Sequence, residues 1–94
     1  MDEVALRAEL LRDNPALSLL RVSMYASALL LYREAADNIA KNGAICAHPR
    51  TGAPMENPYL RVQAHAVGIL GKFPTVKSDR VLILLQKEFA SRAT

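Results

Sequence analysis

Apolar residues recur at helical spacing over the first half of the chain, and residues 16–42 contain neither proline nor glycine. Asn14 followed by Pro15 is a typical helix start. The asparagine side chain can accept a hydrogen bond from an unpaired backbone N–H, and proline lacks the N–H that would be left unpaired there. Gly43 can adopt the left-handed conformation that ends a helix. The pattern therefore predicts one helix over residues 15–42, about 40 Å long.

Two apolar stripes run along this predicted helix. The first stripe consists of Leu17, Leu20, Met24, Leu31 and Ala35. The second consists of Val22, Tyr25, Leu29, Tyr32, Ala36 and Ile39. Either other segments of the chain bury both stripes, or one stripe lies in a contact between subunits. The chain has few large side chains to cover so long a helix, which favours a subunit contact. The residues that we expect in that contact are Leu20, Met24, Leu29, Leu31 and Tyr32.

Three shorter helices are predicted beside the long one. A short amphipathic helix is expected over residues 2–13. Asn57-Pro58 repeats the helix-start signal and predicts a helix over residues 58–72, with Val62, Ala66 and Ile69 on its apolar face. A last helix, capped by a serine or an aspartate, is expected over residues 79–92, and its inward-facing residues include Val81, Leu82 and Leu85.

The segment 44–57 connects the second and third predicted helices. Its two prolines and its glycine exclude a helix. A small β-hairpin is the first interpretation, with one strand at Ile45–Ala47, a turn at 50–52 and a returning strand at Pro54–Glu56. An irregular loop is the alternative. Ordered connections of this length more often carry a function than shorter ones do.

The composition fits this helical pattern. The chain has 94 residues, of which 51% are hydrophobic, but its aromatic residues are three tyrosines and two phenylalanines and it has no tryptophan. A core built from so few large side chains is thin, and small helical proteins often complete such a core by self-association. We therefore expect an all-α protein with a single domain, 1–94. It would consist of an N-terminal helix in 1–13, a core in 14–72 and a C-terminal helix in 73–94.

The basic residues are the candidates for a nucleic-acid contact. The formal net charge is +3, which permits contact with an anionic partner without demanding one. The interpretation as an ordinary solvated surface stays open beside the phosphate contact. The candidate residues are Arg61, Lys72, Lys77, Arg80, Arg7 and Arg12.

The sequence carries no recognisable catalytic or metal motif. It has no glycine-rich phosphate loop with a lysine, so we expect no nucleotide hydrolysis. Cys46, His48 and His65 do not follow a zinc spacing, so we expect no metal and no cofactor. A single cysteine excludes an internal disulfide. The start of the chain is acidic where a signal peptide would be basic, and its longest apolar run falls far short of the roughly 20 residues of a membrane span.

The order of motifs in the middle of the chain is similar to that of a known family. A helix rich in alanine and tyrosine is followed by a glycine, a loop, Asn-Pro, a second helix, Gly-x-x-Pro and an arginine. The residues that carry this order are Tyr32–Ile39, Asn42-Gly43, Gly52, Asn57-Pro58, Leu70–Pro74 and Arg80. The order resembles that of the small terminase subunits of tailed bacteriophages, and the resemblance covers about residues 17–82.

The resemblance implies a non-enzymatic function. Small terminase subunits assemble into homo-oligomeric rings, recognise double-stranded viral DNA and regulate the large terminase subunit during genome packaging. It implies a long helical hairpin with residues 15–42 and 58–72 as its arms and a small β element between them. It also implies a place in the cytoplasm of the infected bacterial host and no membrane partner.

Two other functions remain open from the sequence. The chain could be a small helical adaptor that binds a protein partner through its long helix and does not contact DNA. It could also be a dimeric DNA-binding regulator. A helix-turn-helix formed by 58–72 and 79–92 is disfavoured, because the connection is longer than the usual turn of about three to four residues.

Overall fold

The computed structural model describes residues 1–93, with all side chains except those of residues 89 and 91–93. Four helices and two short strands follow one another along the chain. They are α1 (Glu3–Asp13), α2 (Leu19–Asn42), β1 (Ile45–Ala47), β2 (Pro54–Glu56), α3 (Tyr59–Leu70) and α4 (Asp79–Ala93). The predicted mainly helical architecture is confirmed, and so is the β-hairpin between the second and third helices.

The chain divides into two compact units. The first consists of residues 1–27 and 73–94, and the second consists of residues 28–72. The long helix α2 contributes its first residues to the first unit and the remainder to the second.

In the first unit, α1 runs antiparallel to the first part of α2. The hydroxyl group of Ser27 donates to the Glu3 carboxylate at 2.9 Å, and Arg7 donates to the Ser23 hydroxyl at 3.4 Å. Helix α4 also runs antiparallel to α1, because Arg80 near its start binds Asp13 near the end of α1. The side chains buried in this unit are Leu6, Leu10, Val22, Tyr25, Ala26, Val81 and Leu85.

The start of α2 differs from the prediction, which placed it at residue 15. Asn14 serves instead as the C-cap of α1, where its backbone N–H donates to Leu10 O at 2.9 Å. Its side-chain amide also accepts from Lys77 N at 2.8 Å and donates to Lys77 O at 2.9 Å. The hydroxyl of Ser18 accepts from Arg21 N at 3.3 Å and caps α2 four residues later than expected.

In the second unit, β1 and β2 pair in antiparallel register, with Cys46 opposite Met55. The imidazole Nδ1 of His48 accepts from the backbone N–H groups of Arg50 and Thr51, at 3.1 and 3.3 Å, and so stabilises the turn. Gly52 in that turn has φ +73°, a conformation that favours glycine. The hairpin is therefore held by local hydrogen bonds at its tip.

The predicted start signal Asn57-Pro58 directly precedes α3, which begins at Tyr59, one residue later than predicted. The Asn57 side chain is 2% exposed and its Oδ1 accepts from Tyr59 N at 2.9 Å. Its Nδ2 donates to Asn38 Oδ1 at 3.0 Å and to Gly43 O at 2.9 Å. One buried amide therefore ties the end of α2, the base of the hairpin and the start of α3 together. Helix α3 ends at Leu70, two residues earlier than predicted.

The side chains buried in the second unit are small. They are Ala28, Leu29, Ala35 and Ala66, together with Asn57. On the predicted apolar face of α3, Ala66 is buried and Val62 and Ile69 are half-buried. The thin core expected from the composition is therefore located mainly in this unit.

Candidate oligomer and nucleic-acid surfaces

The first part of α2 exposes large apolar side chains. Leu20 is 71% exposed and Met24 is 46% exposed, and Leu19 beside them is also exposed. Residues four apart lie one above the other on a helix, so Leu20 and Met24 share one face. That face is opposite to the one on which Val22 is buried. Both residues belong to the contact predicted from the sequence.

The other members of the predicted contact differ in burial. Leu29 is 4% exposed and is part of the chain's own core. Leu31 is half-buried, and Tyr32 is exposed. The spacing of apolar residues does not distinguish the buried members of the predicted contact from the exposed ones, because both stripes have helical periodicity. The expectation that Leu29 is available to a partner is therefore wrong for the folded chain.

Helix α4 adds exposed apolar side chains that the sequence pattern assigned differently. Val81 and Leu85 are buried, as expected. Leu82, which the predicted inward face included in the same apolar run, is exposed, and so is Ile83. An apolar run of this kind does not reveal which of its residues face the core, because the direction depends on where α1 packs.

Arg80, one of the predicted DNA-binding cations, already has its charge matched by two carboxylates. Its Nε donates to the Asp13 carboxylate at 3.1 Å, and its NH1 lies 2.6 Å from Glu9 Oε2. Its NH2 donates to the backbone carbonyl of Glu9 at 3.2 Å. The hydrogen bonds to Glu9 and then to Asp13 raise the pKa of the Arg80 guanidinium. A phosphate would have to compete with two carboxylates for this side chain.

The other candidates in the first unit are more open. The backbone of Lys77 is fixed on both sides by Asn14, and its side chain is exposed. Arg12 is exposed and lies 4.0 Å from Glu9, at the limit of an ion pair. Arg7 is half-buried beside Ser23. Lys77 and Arg12 are therefore the cations of this unit best placed to meet an anionic partner.

In the second unit, α3 presents a basic outer face. Arg61 and His65 are exposed one helical turn apart, and Lys72 is exposed just after the helix. The helix Tyr59–Leu70 contains no acidic residue. Gly68 lies on the same side, and a Cβ added there would meet no other atom within 4 Å. The face is therefore positively charged and open to solvent at Gly68. The predicted cluster is divided, because Lys72 belongs to this unit whereas Lys77 and Arg80 belong to the first.

An open cavity of about 630 Å³ lies beside the β-hairpin in the second unit. Its lining contains no charged side chain. The lining residues are Asn38, Asn42, Ile45, Cys46, Ala47, Asn57, Pro58 and Tyr59. The sequence did not predict this cavity, because it depends on how three separate segments meet around Asn57.

Among the described residues, no group of three or more His, Cys, Asp or Glu side chains is arranged to hold a metal ion. None of the described helices is long and apolar enough to cross a membrane. No protein-family model, curated protein or solved structure matches the chain.

Proposed function

We propose that this chain acts as a small terminase subunit of the tailed-bacteriophage type. It is non-enzymatic, assembles into a homo-oligomeric ring, binds double-stranded viral DNA and regulates the large terminase subunit during packaging in the host cytoplasm. The resemblance of the motif order to that of the small terminase subunits supports the choice of family. The observation that carries the proposal is the exposed apolar face of Leu20 and Met24 on the long helix.

The exposed apolar face supports self-assembly. Burying a leucine or methionine side chain stabilises a protein by about 1.5–3 kcal/mol relative to leaving it in water. Leu20 and Met24, with Leu19 beside them, therefore offer a large gain to a partner that covers them. A face of this kind that docks onto a different surface of the next copy closes into a ring when the rotation is suitable.

The basic residues support DNA binding through charge. The exposed side chains of Arg61, Lys72 and Lys77 can meet phosphates without reading the base sequence. The contribution of each chain is small, since the net charge is +3. A ring repeats the same few cations around its circumference, so that one DNA molecule can engage several copies together.

A protein adaptor is the second candidate function, and the ion pairs of Arg80 favour it. Two carboxylates already hold this guanidinium, so one of the six predicted cations is committed within the chain. In this alternative the apolar face of α2 binds another protein, and DNA is not a partner.

DNA binding tests the packaging function against the adaptor. Duplex DNA should bind the native protein with an affinity that falls steeply as salt rises, because each phosphate contact releases a counterion. Replacing Arg61, Lys72 and Lys77 together by alanine should weaken binding and reduce the dependence on salt. Fluorescence anisotropy at several salt concentrations measures both quantities.

The matched control replaces Lys41, Arg50 and Lys87 together by alanine, which removes three exposed cations that are not among the proposed DNA contacts. This control should lower the affinity less than the replacement of the proposed contacts does. Equal losses would show a general charge effect, and an unchanged affinity after replacement of the proposed contacts would exclude them as the DNA contact. Absence of salt-dependent binding by the native protein would favour the adaptor.

A further inference from the structure

The two edges of the β-hairpin differ in their ability to accept another strand. The outer edge of β2 contains Pro54, which has no N–H to donate, and the charged Glu56. Proline and charged residues are common means of protecting an exposed strand edge. The outer edge of β1 contains Ile45 and Ala47, which have neither feature, and Ile45 is 63% exposed.

The register of the hairpin shows which backbone groups lie on that open edge. Asn57 N donates to Ala44 O at 2.7 Å, and His48 N donates to Ala53 O at 2.8 Å. Hydrogen-bonded pairs alternate along an antiparallel ladder, so Cys46 pairs with Met55 through its backbone. The N–H and C=O groups of Ile45 and Ala47 therefore point away from β2. In the described part of the chain, no further strand pairs with β1.

The cavity beside the hairpin lies on the side of β1. It is lined by all three residues of β1 and by none of β2, and the last turn of α2 and the start of α3 form its other walls. Its volume is about 630 Å³, and it is open to solvent. The amides of Asn38 and Asn42 and the ring of Tyr59 offer hydrogen bonds and an apolar surface without charge.

We infer that the outer edge of β1 and this cavity form a docking site for an extended, uncharged peptide segment of a partner protein. The segment adds a third strand through the N–H and C=O groups of Ile45 and Ala47. Its alternate side chains lie against the cavity walls, as in other cases of strand addition. The uncharged lining favours an uncharged segment, because a charged side chain there would find no ion-pair partner.

A second copy of this chain fits the site less well. A hairpin that docked through β2 would meet β1 with Pro54, which cannot donate. A second copy that docked through its own β1 would also bring its own cavity walls, at Asn38 and Tyr59, to the same edge. A single extended segment carries neither obstacle.

The experiment uses the full chain, labelled with ¹⁵N, and a capped peptide of sequence Thr-Val-Thr-Val-Thr as the probe. Titration should shift the backbone amide signals of Ile45 and Ala47 and the side-chain amide signals of Asn38. The same peptide with N-methyl groups on both valines should bind at least tenfold more weakly, because it lacks two strand donors. No shift at millimolar peptide would overturn the inference.

Two variants form a matched pair. Ala47→Pro removes an N–H from the open edge, and Glu56→Pro removes one from the edge of β2, and neither N–H takes part in the ladder. Ala47→Pro should weaken the binding of the peptide by at least tenfold, whereas Glu56→Pro should leave the affinity within about twofold of that of the native protein. The Gly52 amide signal verifies that the hairpin persists in each variant. Equal losses in both variants would overturn the proposed edge.

Hydrogen exchange of the native protein tests whether a second copy of the chain covers the edge of β1. The Cys46 amide should be protected, and the amides of Ile45 and Ala47 should exchange rapidly. Protection of the latter two at high protein concentration would show that a second copy covers the edge and would overturn the peptide site. This inference does not depend on the packaging function, because DNA binding and peptide binding are measured separately.

Discussion

At the scale of single residues, two identical dipeptides have different structural roles. Asn14-Pro15 and Asn57-Pro58 both predict a helix start, and only Asn57 acts as one. Asn14 is held instead by Lys77, 63 residues away in the chain. A local rule identifies a side chain that can cap a helix, but a distant partner decides which backbone groups it binds. The hairpin tip was predictable because its hydrogen bonds are local.

Replacing Asn57 by alanine should destabilise the fold strongly. The change leaves Asn38 Oδ1 and Gly43 O without their donor and removes the acceptor of Tyr59 N. Loss of such buried partners costs about 1–3 kcal/mol, and loss of a helix cap costs about 1 kcal/mol. Urea unfolding followed by circular dichroism measures the change.

The control is Asn42→Ala, in which an exposed asparagine on the neighbouring turn is removed. Its effect should stay within about 0.5 kcal/mol, as for most surface substitutions. A similar small effect of Asn57→Ala would contradict the role assigned to this amide.

At the scale of elements, the helices and the hairpin could be predicted from periodicity and turn residues. Whether each apolar residue faces the core or the solvent could not be predicted. Leu20 and Leu29 both lie on apolar stripes of α2, and one is exposed whereas the other is buried. Leu82 and Leu85 differ in the same way on α4. Burial depends on which elements pack together, and an unbroken helical pattern does not contain that information.

The contrast between Leu20 and Leu29 gives a matched pair of variants. Leu20→Glu places a charge on an exposed face, so the monomer should stay folded and helical while its oligomers dissociate, and its unfolding midpoint should fall only by what assembly contributes. Leu29→Glu places a charge at a buried position, which costs far more than a surface change, and should prevent folding. Circular dichroism and size-exclusion chromatography distinguish these outcomes.

The pair also tests where the subunit contact lies. A Leu20→Glu protein that keeps the native oligomer size would exclude this face of α2 from the contact. A folded, monomeric Leu29→Glu protein would place the contact on the side of the helix that is buried here.

At the scale of the whole molecule, the features that bear on the proposed function are surfaces. Apolar side chains are exposed on α2 and α4, and a basic face lies on α3. The basic residues could be named from the sequence, but the pairing of Arg80 with Glu9 and Asp13 could not, because those residues are brought together by the antiparallel packing of α1 and α4. The cavity beside β1 could not be predicted from the sequence either, since its walls come from three elements.

The mass of the protein in solution tests self-assembly, the central claim, most directly. The chain has a mass of 10.3 kDa, and native mass spectrometry with light scattering resolves multiples of that value. A closed ring predicts one species of several copies whose mass does not change when the protein is diluted through the micromolar range. A monomer or a dimer as the largest species over that range would contradict the ring and with it the proposed packaging function.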